Sequence, residues 1–208
     1  MIELIIFDCD GTLVDSELLC NEALAIKLAE LDIIVSPQEL VDRFRGVKFT
    51  DILAVIEVEY SIALPANFEV EYREKVKALF ALSLTANEGV KGLLESIQLP
   101  MCVASSAPRP KIEQALALTN LNMFFKQNIF SCFDIGIWKP EPDIFLHASE
   151  EMGYKPENCL VVEDSPVGIQ AAKAAGMKVV LYDPHHIHSD IKATYRVSSM
   201  LDILRLLS

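Results

Sequence analysis

Two aspartates, Asp8 and Asp10, stand at the end of the apolar run Leu4–Phe7 and are followed by Gly11 and Thr12. Side chains two apart on a strand share one side of the pleat, so both carboxylates face one site while Cys9 faces away. Like charges this close are unfavourable unless a cation lies between them. Hard carboxylate oxygens suit Mg²⁺, which keeps several waters and also takes phosphate oxygens. A calcium loop begun at Asp8 would need glycine and glutamate where the chain has Leu13 and Leu19.

Two other apolar runs end in polar side chains that belong to the same chemistry. Cys159–Val162 closes in Glu163-Asp164, acidic ligands from a second strand end, and Ser165-Pro166 then reads as a helix N-cap with proline at the first helical position. Gly168 lets that helix pack closely. Met101–Ala104 closes in Ser105-Ser106 ahead of a helical pattern, a place where a hydroxyl and backbone N–H groups suit a phosphate. Lys139, in Trp138-Lys139-Pro140, offers a compact ammonium that the following proline holds extended.

The elements that must position these groups follow from hydrophobic patterning. Each apolar run is followed by a polar turn and a helix, Lys111–Leu118 after the second run and Val167–Ala175 after the third, the latter closed by Gly176. Strand, turn and helix repeated in this way build a parallel α/β sheet, with further strands expected at Asn128–Ser131 and Lys178–Leu181. Ligands in open sheets of this kind bind at the carboxyl edge where the strand order reverses, which would gather Asp8, Asp10, Ser105 and Asp164. Residues 15–82 read differently, with helical periodicity in Leu18–Leu31, Pro37–Phe44, Asp51–Tyr60 and Phe68–Leu82 and no strand. Such a block is a helical insertion that would hang over the carboxyl edge of the sheet. The tail from Asp183 to Ser208 reads as a loop and then a short helix around Ser199–Leu207.

Composition narrows the class further. At 208 residues and 51% hydrophobic the chain can bury a substantial core, so disorder is excluded. The net charge of −12, with no basic cluster, argues against nucleic-acid binding but leaves room for a small phosphorylated metabolite beside a bound cation. The apolar run at residues 1–10 is too short for a membrane span and no basic stretch precedes it, so no membrane association and a cytoplasmic location are expected. Five cysteines without a CxxC pair read as reduced thiols. His185, His186 and His188 lack a further ligand at zinc spacing and read as a solvated loop.

The segment Asp8–Thr12 (DxDGT), Ser105 at a strand end, Lys139-Pro140 in KPEP and Glu163-Asp164 in EDSPVG resemble, in that order, the four motifs of the haloacid dehalogenase superfamily of phosphohydrolases. The resemblance covers nearly the whole chain. It implies a Rossmann-like α/β core with helices on both faces (1–14 and 83–208) and an inserted small α-helical cap (15–82). It further implies a phosphoric monoester hydrolase in which Asp8 is the nucleophile and Asp10 first protonates the leaving oxygen, then activates water. Ser105 would bind the transferring phosphoryl group and Lys139 would neutralise charge on it. Asp8, Asp10 through its backbone carbonyl, Asp164 and its neighbour Glu163 would hold Mg²⁺. Thr12, Ser106, Arg43, Gly46 and Lys48 are candidate substrate contacts.

Within the superfamily the chain is similar to the β-phosphoglucomutase-like phosphatases with helical caps. The stretches Arg43–Lys48, Pro100–Pro108 and Phe133–Phe145 are similar to members acting on phosphorylated sugar acids such as 6-phosphogluconate. Small phosphate monoesters are therefore the expected substrates, turned over by a monomer. A mutase of the same superfamily is the first alternative, disfavoured because Cys20 and Phe49 occupy cap positions where mutases carry a histidine and a phosphate-clamping arginine. A dehalogenase lacks the acid/base that Asp10 supplies. A phospho-accepting signalling module also uses aspartate, Mg²⁺ and lysine on a parallel sheet, but draws its acidic pair from a different strand and has no helical cap. Taken singly, Arg43, Arg45 and Lys48 fit a solvated helix face better than a substrate clamp, Ser105 also fits a helix cap, and Glu163 a metal ligand, a partner behind the ligands or only their acidic neighbour.

Overall fold

The computed structural model describes residues 1–45 and 47–207; Gly46, one of the expected substrate contacts, and Ser208 lie outside the described residues. Strand β1 (Leu4–Phe7) is followed by four helices, α1 (Glu17–Ala29), α2 (Pro37–Phe44), α3 (Phe49–Tyr60) and α4 (Phe68–Ser83). Helix α5 (Val90–Ser96) leads into β2 (Met101–Ser105), and α6 (Arg109–Leu118) and α7 (Asn122–Phe125) lead into β3 (Ile129–Ser131). Next come α8 (Cys132–Ile135), α9 (Asp143–Met152), β4 (Cys159–Glu163), α10 (Pro166–Ala174) and β5 (Lys178–Tyr182), and the chain finishes with β6 (Tyr195–Val197) and α11 (Leu204–Leu207).

All six strands join one parallel sheet in the order β3-β2-β1-β4-β5-β6, a Rossmann-like arrangement. Their near-continuous apolar sequences follow from burial on both faces. On one face Leu4, Ile6, Ala104, Val161 and Leu181 pack against Ile144, Phe145 and Ala148 of α9 and Ile169 and Ala172 of α10. On the other, Phe7 meets Phe125 of α7 edge-on, with ring centroids 6.0 Å apart. The chain builds outward from β1 through β2 to β3, then returns to β4 on the opposite side of β1 and builds to β6. The β1/β4 boundary is therefore the point where the strand order reverses.

Strand β6 corrects the expected loop in the tail: Tyr195 and Val197 pair in parallel with Val180 and Tyr182 of β5. Three residues at a sheet edge, with Arg196 exposed between them, produce no apolar run to read.

The chain divides into two compact units, residues 1–15 with 85–208, and residues 16–84. The second has its own apolar centre, formed by Leu24, Leu28, Ile33, Leu40, Phe44, Ile52, Ile56 and Phe68. Its α2 starts where Ser36 Oγ accepts from Glu39 N–H and Pro37 takes the first helical position. Among the described residues no helix is long and apolar enough to cross a membrane.

Phe145 is fully buried against the sheet. Phe145→Ala should lower unfolding stability by about 3–5 kcal/mol, read as a shift in urea midpoint, because the surrounding strands cannot close the resulting cavity. A loss below about 1 kcal/mol would contradict this account of the core.

Candidate active site

Asp8 follows β1 directly, and its N–H donates to Val162 O of the neighbouring β4 at 2.9 Å, so the sheet ladder itself places the carboxylate at the β1/β4 boundary. The chain then turns sharply. Leu13 and Val14 N–H groups both donate to Cys9 O, and Gly11 N–H donates to Val14 O. Gly11 is left-handed at φ +76, a conformation that favours glycine, and a Cβ there would lie 2.2 Å from Asp164 Oδ2. The turn and the acid of the distant β4 end are thus fitted to one another.

Lys139 is the hub. Its buried ammonium donates to Asp8 Oδ1 at 2.6 Å, to Glu163 Oε1 at 2.8 Å and to Ala104 O at 3.2 Å, matching its three N–H donors with three acceptors. It also lies 4.8 Å from the centroid of the Phe145 ring. Burial works against its charge, but Asp8 and Glu163 more than offset that and hold its pKa above the ordinary lysine value. Burial likewise pushes the Asp8 carboxyl up; Lys139 pulls it back, Glu163 and Asp10 push it further, and the result is about 7. Burial, reinforced by Asp10 and Asp8, raises the Cys9 thiol well above its usual value, which removes it as a nucleophile at neutral pH.

The remaining acids each have a distinct holder. Glu163 Oε2 accepts from Ser165 N–H at 2.7 Å and Ser165 Oγ at 2.9 Å, and a Cβ on Gly168 would lie 1.7 Å from Glu163 Oε1. Only glycine at that helix position leaves room for this carboxylate. Thr12, fully buried, donates its hydroxyl to Asp164 Oδ1 at 3.0 Å. Asp10 Oδ2 accepts from Lys111 Nζ of α6 at 2.8 Å.

The structure therefore brings these groups to the ends of β1 and β4 in three hydrogen-bonded sets, Asp8–Lys139–Glu163, Thr12–Asp164 and Asp10–Lys111. Ser105, at the end of β2, is buried with its Oγ accepting from Ala107 N–H at 3.2 Å; Ser106 Oγ accepts from Cys132 Sγ at 3.8 Å. Arg43 and Lys48 belong to the helical unit, where Arg43 pairs with Glu59 and Lys48 stands exposed at the residue preceding α3. The Thr12 hydroxyl holds Asp164, a contact that its place in the sequence does not reveal. Two contributors went unread in the sequence, Lys111 and Asn87, whose Nδ2 donates to both Gly11 O and Thr12 O at 2.8 Å. A lysine in the first turn of a helix opposes the macrodipole, and that mismatch was the available signal for Lys111.

The expected Mg²⁺ donors are Asp8, Asp164 with its neighbour Glu163, and Asp10 through its backbone carbonyl. Among the described residues no three His, Cys, Asp or Glu side chains form a ready-made cage. Glu163 has both oxygens occupied by Lys139 and Ser165, and Asp10 turns one carboxylate oxygen to Lys111. What fits a magnesium ion is a smaller donor set, the Asp8 and Asp164 carboxylates with the Asp10 carbonyl, since Mg²⁺ binds through one or two carboxylates and keeps waters and substrate oxygens for the rest.

The profile of the haloacid dehalogenase-like hydrolases matches residues 2–176, and the chain belongs to that family. It is 38% identical over 209 residues to the 6-phosphogluconate phosphatase of Escherichia coli K12, covering 97% of this chain and 94% of that protein. It is 31% identical over 198 residues to a phosphorylated carbohydrates phosphatase of Thermotoga maritima, covering 92% and 89%. Among solved structures, a haloacid dehalogenase-like protein of unknown function from Agrobacterium tumefaciens superposes with a TM-score of 0.85 at 33% identity, covering 100% of this chain and 98% of that one.

The raised Asp8 carboxyl gives a signed pH dependence. The folded protein holds this proton more tightly than the unfolded chain, so the stability it contributes is fully present below about pH 4 and is lost as pH rises through about 7. The melting temperature of chelator-treated protein should therefore fall between those limits by more in the wild type than in Asp8→Asn. Equal slopes in the two proteins would contradict the placement of Asp8.

Proposed function

We propose that this protein is a Mg²⁺-dependent phosphatase of small phosphate monoesters, sugar phosphates or phosphorylated sugar acids such as 6-phosphogluconate, working through an aspartyl phosphate. The observation that carries the proposal is the buried Lys139 ammonium on Asp8 Oδ1, with a second carboxylate, Asp10, two residues on. A carboxylate whose charge is held by a lysine at a sheet edge is oriented to attack phosphorus, and the acyl phosphate it forms is labile enough to hydrolyse. The resemblance of the chain to 6-phosphogluconate phosphatase over nearly its full length supports the substrate class.

In this reading Asp8 attacks the phosphorus while Asp10 delivers a proton to the departing alkoxide, and Asp10 then takes a proton from the water that attacks the aspartyl phosphate. Lys139 neutralises charge on Asp8 and on the incoming phosphoryl group, and Glu163 fixes the lysine. Ser105, ending β2 ahead of α6, offers its hydroxyl to a phosphoryl oxygen. Asp8, Asp164 and the Asp10 carbonyl would hold Mg²⁺, which supplies positive charge against the repulsion between an anionic nucleophile and an anionic substrate. For the mutase alternative, Phe49 is stacked on Tyr72 with centroids 4.1 Å apart and supplies no cation for a second phosphate.

Hydrolysis of p-nitrophenyl phosphate and 6-phosphogluconate should require Mg²⁺ and stop with chelator. Asp8→Asn should abolish turnover. Asp10→Asn should lower kcat by about 10²–10⁴ and accumulate phosphoenzyme detectable by intact mass. Incorporation of one phosphate per chain without repeated release would sink the hydrolase reading in favour of a phospho-accepting module.

A further inference from the structure

Each carboxylate of the Asp8–Asp10 pair has its own lysine, and the two lysines sit in different surroundings. Lys139 lies at the floor of the site, its side chain 3% exposed and shared between Asp8 and Glu163. Lys111 comes from the first turn of α6 and reaches Asp10 Oδ2 at 2.8 Å on the open side, with the two side chains 23% and 29% exposed. A cation in that turn is unfavourable to the helix by itself, so the ion pair with Asp10 is what makes its position favourable. Asp10 needs such a partner. Asp8 lies two residues away, and the two carboxylates repel one another. A part-exposed aspartate under that repulsion spreads over several rotamers unless something holds it.

We propose that Lys111 is a positioning residue for proton transfer: its ammonium fixes the orientation of the Asp10 carboxylate at the site. The inference rests on the phosphatase reading, in which Asp10 is the acid and base. A proton is exchanged only within about 2.6–3.2 Å, so an acid free to rotate spends most of its time out of reach. No bond to Lys111 forms or breaks in this role. The consequence is specific to the leaving group, because an alkoxide must be protonated as it departs whereas p-nitrophenolate is stable enough to leave without help.

The test compares kcat/KM for β-glycerophosphate and p-nitrophenyl phosphate in the wild type, Lys111→Met and Lys111→Arg, with Mg²⁺ present. Lys111→Met should lower kcat/KM on the alkyl ester by about tenfold and on the aryl ester by less than about twofold, a part of the roughly 10²–10⁴-fold that a positioned acid contributes. Lys111→Arg, which keeps a cation on a stem of similar length, should restore most of the difference. An equal fall on both esters, no fall on either, or a change confined to KM would overturn the assignment, the last marking Lys111 as a substrate contact instead. These outcomes are separable from failure of the phosphatase reading, in which the wild type would hydrolyse neither ester.

Discussion

An ammonium and two carboxylates share a volume nearly closed to water, at the carboxyl ends of β1 and β4. Taking any one of these charges out of solvent alone is strongly unfavourable, and only their mutual pairing makes the arrangement stable. Removing one partner from a buried pair of this kind costs about 3–5 kcal/mol, comparable to the net stability of many domains. Much of the surrounding structure serves that arrangement. Ala104 O takes the third ammonium proton, Phe145 lies under the charge, Ser165 occupies the outer oxygen of Glu163, and Gly168 leaves the space in which Glu163 stands.

The Asp8–Thr12 turn is built to the same standard by backbone geometry. Gly11 accepts a left-handed conformation and gives up its side chain to admit Asp164, while Asn87 ties the carbonyls of Gly11 and Thr12. Thr12 reaches Asp164, 152 residues further along the chain. The turn thus links the first and fourth strands twice, once through the ladder and once through side chains. Membership of the haloacid dehalogenase-like hydrolases fits this construction, since the acids at the two strand ends are useful only if their spacing is held.

The sheet was largely legible because both faces are covered, so β1, β2 and β4 appear as unbroken apolar runs ending in polar residues. Helix α2 was readable to its ends because Ser36-Pro37 and Glu39 spell out its cap. Strand β6 was not, since its only signal is pairing with β5. In the site, residue types and order pointed to Asp8, Asp10, Lys139 and Asp164. The holders of those groups were obscure: Lys111, Asn87 and the true partner of Thr12 act across 101, 76 and 152 residues, and no local pattern carries such information. Glu163 was ambiguous for the same reason, as its role follows from what donates to it.

The chain leaves the sheet-bearing unit after Asp15 and rejoins it at Thr85, and these two residues are hydrogen bonded, Asp15 N–H to Thr85 O at 3.0 Å, beside a bridge between Val14 and Ala86. The mouth of the excursion is clamped shut whatever lies within it. Since closing a loop costs only about 0.6 kcal/mol more for each doubling of length, the helices between the clamps can be lengthened, trimmed or exchanged with little penalty to the rest. Such changes would leave intact the ladder and turn hydrogen bonds that hold Asp8, Asp10 and Asp164 at the strand ends.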